Sequence, residues 1–161
     1  MDVVIRLADI NDSEEILKLI KELAEFENEL EKVELNLMDI KKDGFGKNPI
    51  FKCFVAEYTD SIVGIALFYP RYSTWKGPTF HLEDLIVTKT MKGKGIGTKL
   101  LYAFVNYAKN EGVKRVEWEV LDWNKKAIDF YNKNGAVIFN DWKIVKMSSK
   151  SMINFLAKNK S

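Results

Sequence analysis

The chain has 161 residues, of which 47% are hydrophobic and 30% charged, which is typical of a globular domain and excludes a disordered or fibrous protein. Its 25 basic and 23 acidic residues leave a net charge of +2, so no strong field favours nucleic acid or a membrane as a partner. The one cysteine, Cys53, allows no internal disulfide, and with the absence of a long apolar run it predicts a cytoplasmic protein of one domain over residues 1–161.

The N-terminal part of the chain is predicted to form a strand followed by a helix. Val3-Val4-Ile5 has the composition of a short strand. Asp12 and Glu15 have the spacing of a helix cap with its acidic partner. Apolar residues at helical spacing follow, and they predict a buried stripe made of Ile16, Leu19, Ile20, Leu23 and Phe26.

Turn residues and alternation divide the rest of the chain into strands and helices. Asn36 and Asp39 repeat the cap pattern before a second helix, and the strand-like runs 51–58 and 62–69 are predicted to pair as a hairpin. A loop over 70–78 leads to the other predicted elements, which are a strand at 79–87, a helix at 99–111, a strand at 115–120, a helix at 125–133, strands at 136–139 and 142–147, and a short tail. This order predicts an α/β fold in which helices cover a mixed sheet.

A glycine-rich turn stands between the strand at 79–87 and the helix at 99–111. Glycine lets the backbone approach an anion closely, so the amides of the turn and of the helix N-terminus can bind a pyrophosphate. A dinucleotide-binding loop would need glycine where Thr98 stands, and Gly97-Thr98-Lys99 reverses the order of a Walker loop. The pattern that fits is a basic residue at Lys92 followed by Gly95 and Gly97.

This turn resembles the pyrophosphate-binding loop of the GNAT N-acetyltransferases, which hold acetyl-CoA there. The predicted element order is also that of the family, whose pattern has arginine or glutamine in place of Lys92. The resemblance implies one N-acetyltransferase domain over 1–161, with a mostly antiparallel sheet that is splayed at its centre and has helices on both faces. It also implies acetyl-CoA as the co-substrate and a homodimer.

Several segments resemble the diamine acetyltransferase branch of this family. Three of them, at 24–27, 72–77 and 120–124, are closer to thialysine N-epsilon-acetyltransferases than to the spermidine/spermine enzymes, which have an acidic residue in place of Ser73. The resemblance implies acetyl transfer to a primary amine of a small molecule, a lysine-like amino acid such as thialysine, by direct attack in a ternary complex. The alternatives are a diamine or polyamine acetyltransferase and an inactive acyl-CoA-binding regulator.

Two adjacent carboxylates, Glu83 and Asp84, precede the turn. Glu83 matches the family's proposed base, and we expect it to take the proton of the amine, directly or through water, with Asp84 as the second choice. A carboxylate at a strand end can also be only an ion-pair partner. Regular alternation predicts two faces of this strand, one with His81, Glu83, Leu85 and Val87 and the other with Phe80, Leu82, Asp84 and Ile86.

Tyr131 is the candidate general acid, because the resemblance places the family's tyrosine at this position against the sulfur of the cofactor. A phenol holds its proton at neutral pH and can deliver it to a thiolate. Asn124 is expected to hydrogen-bond the pantetheine arm, to cap the helix, or both. His81 is the single histidine and is interpreted as a side chain of the strand face, so no histidine-based metal site is expected.

The other site residues follow from the same resemblance. Those expected to bind acetyl-CoA are Leu85, Ile86, Val87, Lys92, Gly93, Lys94, Gly95, Ile96, Gly97, Thr98, Asn124, Lys125, Lys126, Ala127 and Tyr131. Those expected to bind the amine substrate are Phe26, Glu27, Ser73, Thr74, Trp75, Glu83, Asp84, Glu117, Trp118 and Glu119. In the second set, the hydroxyls of Ser73 and Thr74 suit a substrate carboxylate, whereas the acidic residues suit an ammonium.

Overall fold

The computed structural model describes residues 2–159, which group into two compact units, one up to Glu119 and the other from Val120 onward. Within the described residues, the first unit contains the sheet, and the second contains helices and a long segment without helix or strand. The single domain expected over 1–161 stays a prediction.

The first unit is built on a sheet whose strands follow one another in sequence order. They are β1 (Val4–Leu7), β2 (Lys52–Tyr58), β3 (Ser61–Ser73), β4 (Gly77–Val87) and β5 (Val116–Glu117). Neighbours pair antiparallel except β4 and β5, which pair in parallel, so the sheet is mixed and mostly antiparallel as predicted. In the described residues β5 pairs with β4 only at Phe80 and His81, which matches the expected splayed centre.

Helices cover both faces of this sheet. On one face lie α1 (Ser13–Phe26) and α2 (Leu37–Phe45), and their apolar residues join β2, β3 and β4 in one core cluster. On the other face lies α3 (Ile96–Asn110), where Phe104 packs against Phe68 of β3 with ring centroids 5.0 Å apart. The central strands are therefore buried on both sides, which explains their nearly continuous apolar runs.

The start of α1 differs from the predicted cap. Asp9 forms the capping box of a one-turn 3₁₀-helix that precedes α1, and Asp12 makes no side-chain cap of α1. The Asp12 carboxylate instead accepts from Arg6 at 2.7 and 2.9 Å, and this hydrogen bonding lowers the pKa of Asp12. The cap predicted at Asn36 with Asp39 is confirmed. The first prediction was wrong because cap spacing does not distinguish a 3₁₀ turn from the first turn of an α-helix.

The hairpin of β3 and β4 is longer than predicted. β3 continues through Pro70 to Ser73 and pairs with β4 from Gly77, so most of the loop predicted over 70–78 is strand. The connection is a short turn over 74–76. Ser73 shapes this turn, because its hydroxyl accepts from the backbone amides of two turn residues at 3.2 Å.

A β-bulge at Glu83 changes which face each residue of β4 occupies. Asp84 lies opposite Leu67 and Leu82 lies opposite Phe68, so Glu83 is the extra residue of β4. Leu67 belongs to the core cluster below α1, whereas Phe68 packs against α3. The predicted alternation is therefore wrong beyond the bulge, and the face toward α3 carries Phe80, Leu82, Leu85 and Val87.

The C-terminal elements differ most from the predictions. β5 contains two residues, where a strand was predicted over 115–120, whereas α4 (Lys125–Lys133) has the predicted bounds. The strands predicted at 136–139 and 142–147 are wrong, because residues 136–148 form neither strand nor helix. The predicted tail forms a helix, α5 (Ser149–Lys158). In residues 2–159, no helix is both long enough and apolar enough to cross a bilayer.

Candidate active site

The glycine-rich turn lies between β4 and α3. Gly93 and Gly95 both have a φ of 77°, in the left-handed region that favours glycine. Gly95 is the N-cap of α3, and the first intrahelical bond runs from the Lys99 amide to its carbonyl. The amides of residues 96–98 therefore belong to the first turn and have no acceptor within the helix. A Cβ at Gly93 or Gly95 would meet no atom within 4 Å, so an anion can approach these amides.

Helix α1 is hydrogen-bonded to the start of this turn. The Glu22 carboxylate accepts from the Thr88 hydroxyl at 2.9 Å and from the Lys89 amide at 2.8 Å. One helical turn further, the Phe26 ring lies beside the Lys92 ammonium, which is 4.7 Å from the ring centroid. Phe26, predicted in the substrate site, therefore contacts the glycine-rich turn. Glu22 was missed because no local motif distinguishes it from the other acidic residues of the helix.

The charges of two predicted carboxylates, Glu83 and Glu27, act on a third, Asp84, in the first unit. Burial, and then the negative charges of Glu83 and Glu27, raise the pKa of Asp84 to about 7. Asp84 follows Glu83 on β4, and Glu27 is the C-cap of α1. Like charges in a partly buried region attract a cation, so this group suits an ammonium. In residues 2–159, no set of three or more metal-ligating side chains is arranged to hold a metal ion.

Side chains of β3 and β4 surround the Glu83 carboxylate. The Tyr69 hydroxyl donates to Glu83 Oε2 at 2.7 Å, and His81 Nε2 lies 3.7 Å from the same oxygen. Burial, and then the contact with Glu83, raise the pKa of Tyr69 to about 12, so the phenol keeps its proton. The Tyr69 and His81 rings stack with centroids 5.3 Å apart, and Arg71 Nη1 is 3.4 Å from His81 Nδ1.

The predicted substrate residues at the end of β5 and directly after it have different environments. Glu117 forms ion pairs with Arg71 at 2.8 Å and Arg115 at 2.9 Å, so its charge is already balanced by two guanidinium groups. Glu119 is exposed, and its negative charge is one of the smaller causes that raise the pKa of Tyr69. Trp118, which stands between Glu117 and Glu119 in the sequence, is half-buried.

The hairpin tip does not reach the carboxylates within one chain. Gly77, which pairs with Ser73, precedes Glu83 by six residues of β4, a separation of roughly 20 Å at a strand rise of about 3.3 Å per residue. Trp75 is 80% exposed at this tip, and Thr74 is exposed beside it. Ser73 already accepts from two amides of the turn, although a hydroxyl in this role can still donate its proton.

The second unit contains the predicted acid and the predicted pantetheine ligand. Asn124 caps α4, since its side chain accepts from the Ala127 amide at 3.2 Å, so the capping interpretation is confirmed. Tyr131 lies in the last part of α4, is only 8% exposed, and contacts the Phe130 ring at a centroid distance of 5.4 Å. Cofactor binding stays a prediction for Asn124, Lys125, Lys126, Ala127 and Tyr131.

Comparison with known proteins assigns the family. The model of the acetyltransferase (GNAT) family matches residues 14–136. The thialysine N-epsilon-acetyltransferase of Bos taurus is 39% identical over 142 residues, which cover 83% of this chain and 84% of that protein. The spermidine/spermine N(1)-acetyltransferase-like protein 1 of Homo sapiens is 35% identical over 160 residues, which cover 93% of this chain and 23% of that protein.

The fold also has a close match among solved structures. An integron cassette protein from the mobile metagenome of V. cholerae superposes with a TM-score of 0.79 at 22% identity, and the match covers 99% of both chains. The chain therefore belongs to the GNAT acetyltransferase family. It is an acetyl-CoA-dependent N-acetyltransferase that transfers an acetyl group to an amine.

The turn before α3 fits the co-substrate of this family, acetyl-CoA. Its left-handed glycines, the open space beside them and the amides of residues 96–98 suit a pyrophosphate. Lys92 and Lys94 lie on the same turn and can add positive charge.

Proposed function

We propose that this enzyme acetylates the side-chain amine of a lysine-like amino acid such as thialysine, by direct attack in a ternary complex with acetyl-CoA. The observation that supports this proposal most is the similarity to thialysine N-epsilon-acetyltransferases of Bos taurus, Sus scrofa and Mus musculus, which are 39–41% identical over more than four-fifths of the chain.

The acidic residues of the first unit prepare the amine. Glu27, Glu83 and Asp84 attract the amine in its ammonium form. The negative charges of Glu27 and Glu83 are close enough to Asp84 to raise its pKa. Glu83 has a side chain that is 52% exposed, so it can receive the ammonium proton through water. The neutral amine is then the nucleophile that the reaction requires.

Acetyl-CoA supplies the acetyl group as a thioester. When the new carbon–nitrogen bond forms and the carbon–sulfur bond breaks, Tyr131 delivers its phenol proton to the departing sulfur. The backbone of residues 85–87 is proposed to hold the pantetheine arm as an added strand and to donate an amide to the thioester carbonyl. The amides of residues 96–98 hold the pyrophosphate.

Ser73 and Thr74 enter this proposal through a homodimer. A lysine-like molecule is shorter than the roughly 20 Å that separates the hairpin tip from Glu83 in one chain. The tip of a second copy can supply the hydroxyls to the substrate carboxylate. The exposed side chains of Tyr72 and Trp75, at 72% and 80%, provide apolar surface for such a contact.

A polyamine is the second candidate substrate. The three carboxylates of Glu27, Glu83 and Asp84 suit any ammonium. One human relative is named for spermidine and spermine. The residues of the hairpin tip favour an amino acid over a polyamine. An acidic residue at this position would repel the carboxylate of an amino-acid substrate, but this chain has Ser73, Thr74 and Lys76 there.

Thiol release with thialysine, lysine, putrescine and spermidine tests the substrate. We expect the highest specificity constant for thialysine or lysine, and a shift toward spermidine in Ser73→Asp, because a new acid favours a polycation. Ser61→Asp, which adds an acid to an exposed serine at the other end of β3, should leave the ratio unchanged. A preference of the parent enzyme for spermidine would overturn the amino-acid proposal. Acetyl-CoA binding without turnover of any amine would indicate a regulator instead.

A further inference from the structure

We propose that His81 is a positioning residue that aims the Glu83 carboxylate through its Nε2 proton, and that Arg71 determines which ring nitrogen carries this proton. The inference rests on the proposed role of Glu83 as the base. It assigns a role to the single histidine of the chain, which the sequence patterns left as an ordinary side chain of the strand face.

His81 lies between a cation and a carboxylate. Its side chain is only 9% exposed, and its two ring nitrogens face different partners. Nδ1 is 3.4 Å from Arg71 Nη1, and Nε2 is 3.7 Å from Glu83 Oε2. The stacked Tyr69 ring covers the imidazole at a centroid distance of 5.3 Å and an interplanar angle of 29°, so the ring is held in this orientation.

The partners determine the tautomer of His81. A guanidinium donates hydrogen bonds and accepts none, so the nitrogen that faces Arg71 must present its lone pair. The proton of the neutral imidazole is then on Nε2, toward Glu83. Arg71 is itself held by the Glu117 carboxylate at 2.8 Å. The order Glu117, Arg71, His81, Glu83 therefore alternates carboxylates with cationic or donor groups, through close charge pairs at its two ends and the Arg71–His81 hydrogen bond in its middle.

This arrangement orients one oxygen of Glu83 and leaves the other for the reaction. Glu83 Oε2 accepts from the Tyr69 hydroxyl at 2.7 Å and faces His81 Nε2, so both protons are directed at the same oxygen. Oε1 is then the oxygen that can take a proton from the amine. An exposed glutamate without these neighbours would sample several rotamers, and a base that is out of position loses part of its catalytic effect.

The single histidine makes this inference directly observable. A long-range proton–nitrogen correlation spectrum of uniformly labelled protein reports the His81 tautomer without assignment of other residues. We expect the Nε2–H tautomer in the parent and in Arg71→Lys, which keeps a donor, and a mixture of tautomers in Arg71→Met. Glu83→Gln should shift the Nε2 resonance, whereas Glu57→Gln on β2 should not. An Nδ1–H tautomer, or an Nε2 resonance that ignores Glu83→Gln, would overturn the proposal.

Kinetics provide an independent readout. His81→Phe keeps an aromatic ring but loses the donor, so we expect kcat to fall about tenfold, which is less than the roughly 10²- to 10⁴-fold that a general base contributes in full. KM for acetyl-CoA should not change. His81→Gln keeps an N–H group and should recover most of the loss. Equal activity of the two variants refutes the positioning role, and if His81→Phe does not fold, the tautomers of the two Arg71 variants decide. The spectra need no turnover, so they are independent of whether the substrate proposal holds.

Discussion

Individual residues of the turn before α3 act through their backbone. Gly93 and Gly95 adopt left-handed conformations beside open space, and the amides of residues 96–98 follow them. The conformation of this turn could be predicted from the spacing of its glycines, because few other residue types adopt left-handed conformations. Hydrogen bonds across strands, such as that from Tyr69 to Glu83, were not readable, because they depend on the register of residues 14 positions apart.

Gly95→Val tests the pyrophosphate site. A branched side chain would enter the open space in front of the helix amides, so we expect acetyl-CoA binding measured by calorimetry to weaken at least tenfold. Gly112→Val is a matched control, since Gly112 has a φ of 74°, also has no atom within 4 Å of where a Cβ would stand, and follows the other end of α3. Both variants carry the same backbone strain. Equal acetyl-CoA affinity in the two folded variants would contradict the assignment.

Tyr131→Phe tests the proton donor. The ring is retained and only the phenol proton is lost, so kcat should fall about a hundredfold if general-acid catalysis is fully used. Acetyl-CoA affinity should stay close to that of the parent. Tyr102→Phe removes a hydroxyl from an exposed tyrosine of α3 and should have no effect. If steady-state kinetics show the same kcat for both variants, Tyr131 is not the proton donor and contributes only to packing.

At the scale of elements, long-range pairing decides what local patterns cannot. The bulge at Glu83 places Asp84 on the face of α1, although regular alternation predicts that Asp84 shares a face with Leu82. An inserted residue leaves no mark in the pattern because both faces of β4 are largely apolar and accept either register. The strands predicted over 136–147 failed for a related reason, since alternation shows suitability for a sheet without supplying a partner.

Glu22→Ala tests the contact between α1 and the glycine-rich turn. The carboxylate accepts from the Thr88 hydroxyl and the Lys89 amide, and its loss removes two hydrogen bonds worth about 1 kcal/mol each. The turn should become less ordered, so we expect the Kd of acetyl-CoA to rise roughly tenfold. Glu25→Ala, at an exposed position of the same helix, is the control. If the two variants bind acetyl-CoA equally well, α1 does not organise the turn.

At the scale of the whole molecule, the prediction of the family rested mainly on the order of the secondary-structure elements. The alternation of strands and helices up to α4, with the glycine turn between β4 and α3, identified the family and its mixed sheet. The helix at Ser149–Lys158 was not predicted, because it does not follow from local composition.

Asp84 links the site to the stability of the molecule. Burial raises its pKa from an ordinary value of 3.8 to about 7, so the folded state binds this proton more tightly than the unfolded state. The stabilisation is complete below pH 4 and is lost as the pH rises through about 7, a difference on the order of 4 kcal/mol. Asp84→Asn has no such proton. Urea unfolding from pH 4 to 8 should show its stability rising relative to the parent, and a constant difference would contradict this.

The bulge at Glu83 also bears on how the enzyme discriminates among ligands. Glu83 and Asp84 are consecutive residues of a strand that is hydrogen-bonded to β3, so their mutual repulsion is maintained by the sheet and cannot be relieved by a loop moving away. A positively charged ligand relieves this repulsion with little loss of backbone entropy. A neutral alcohol or amide of the same shape gains nothing from it. If Glu83 and Asp84 bind the substrate as proposed, amines are selected over their neutral isosteres when the ligand first binds, before any bond to carbon changes.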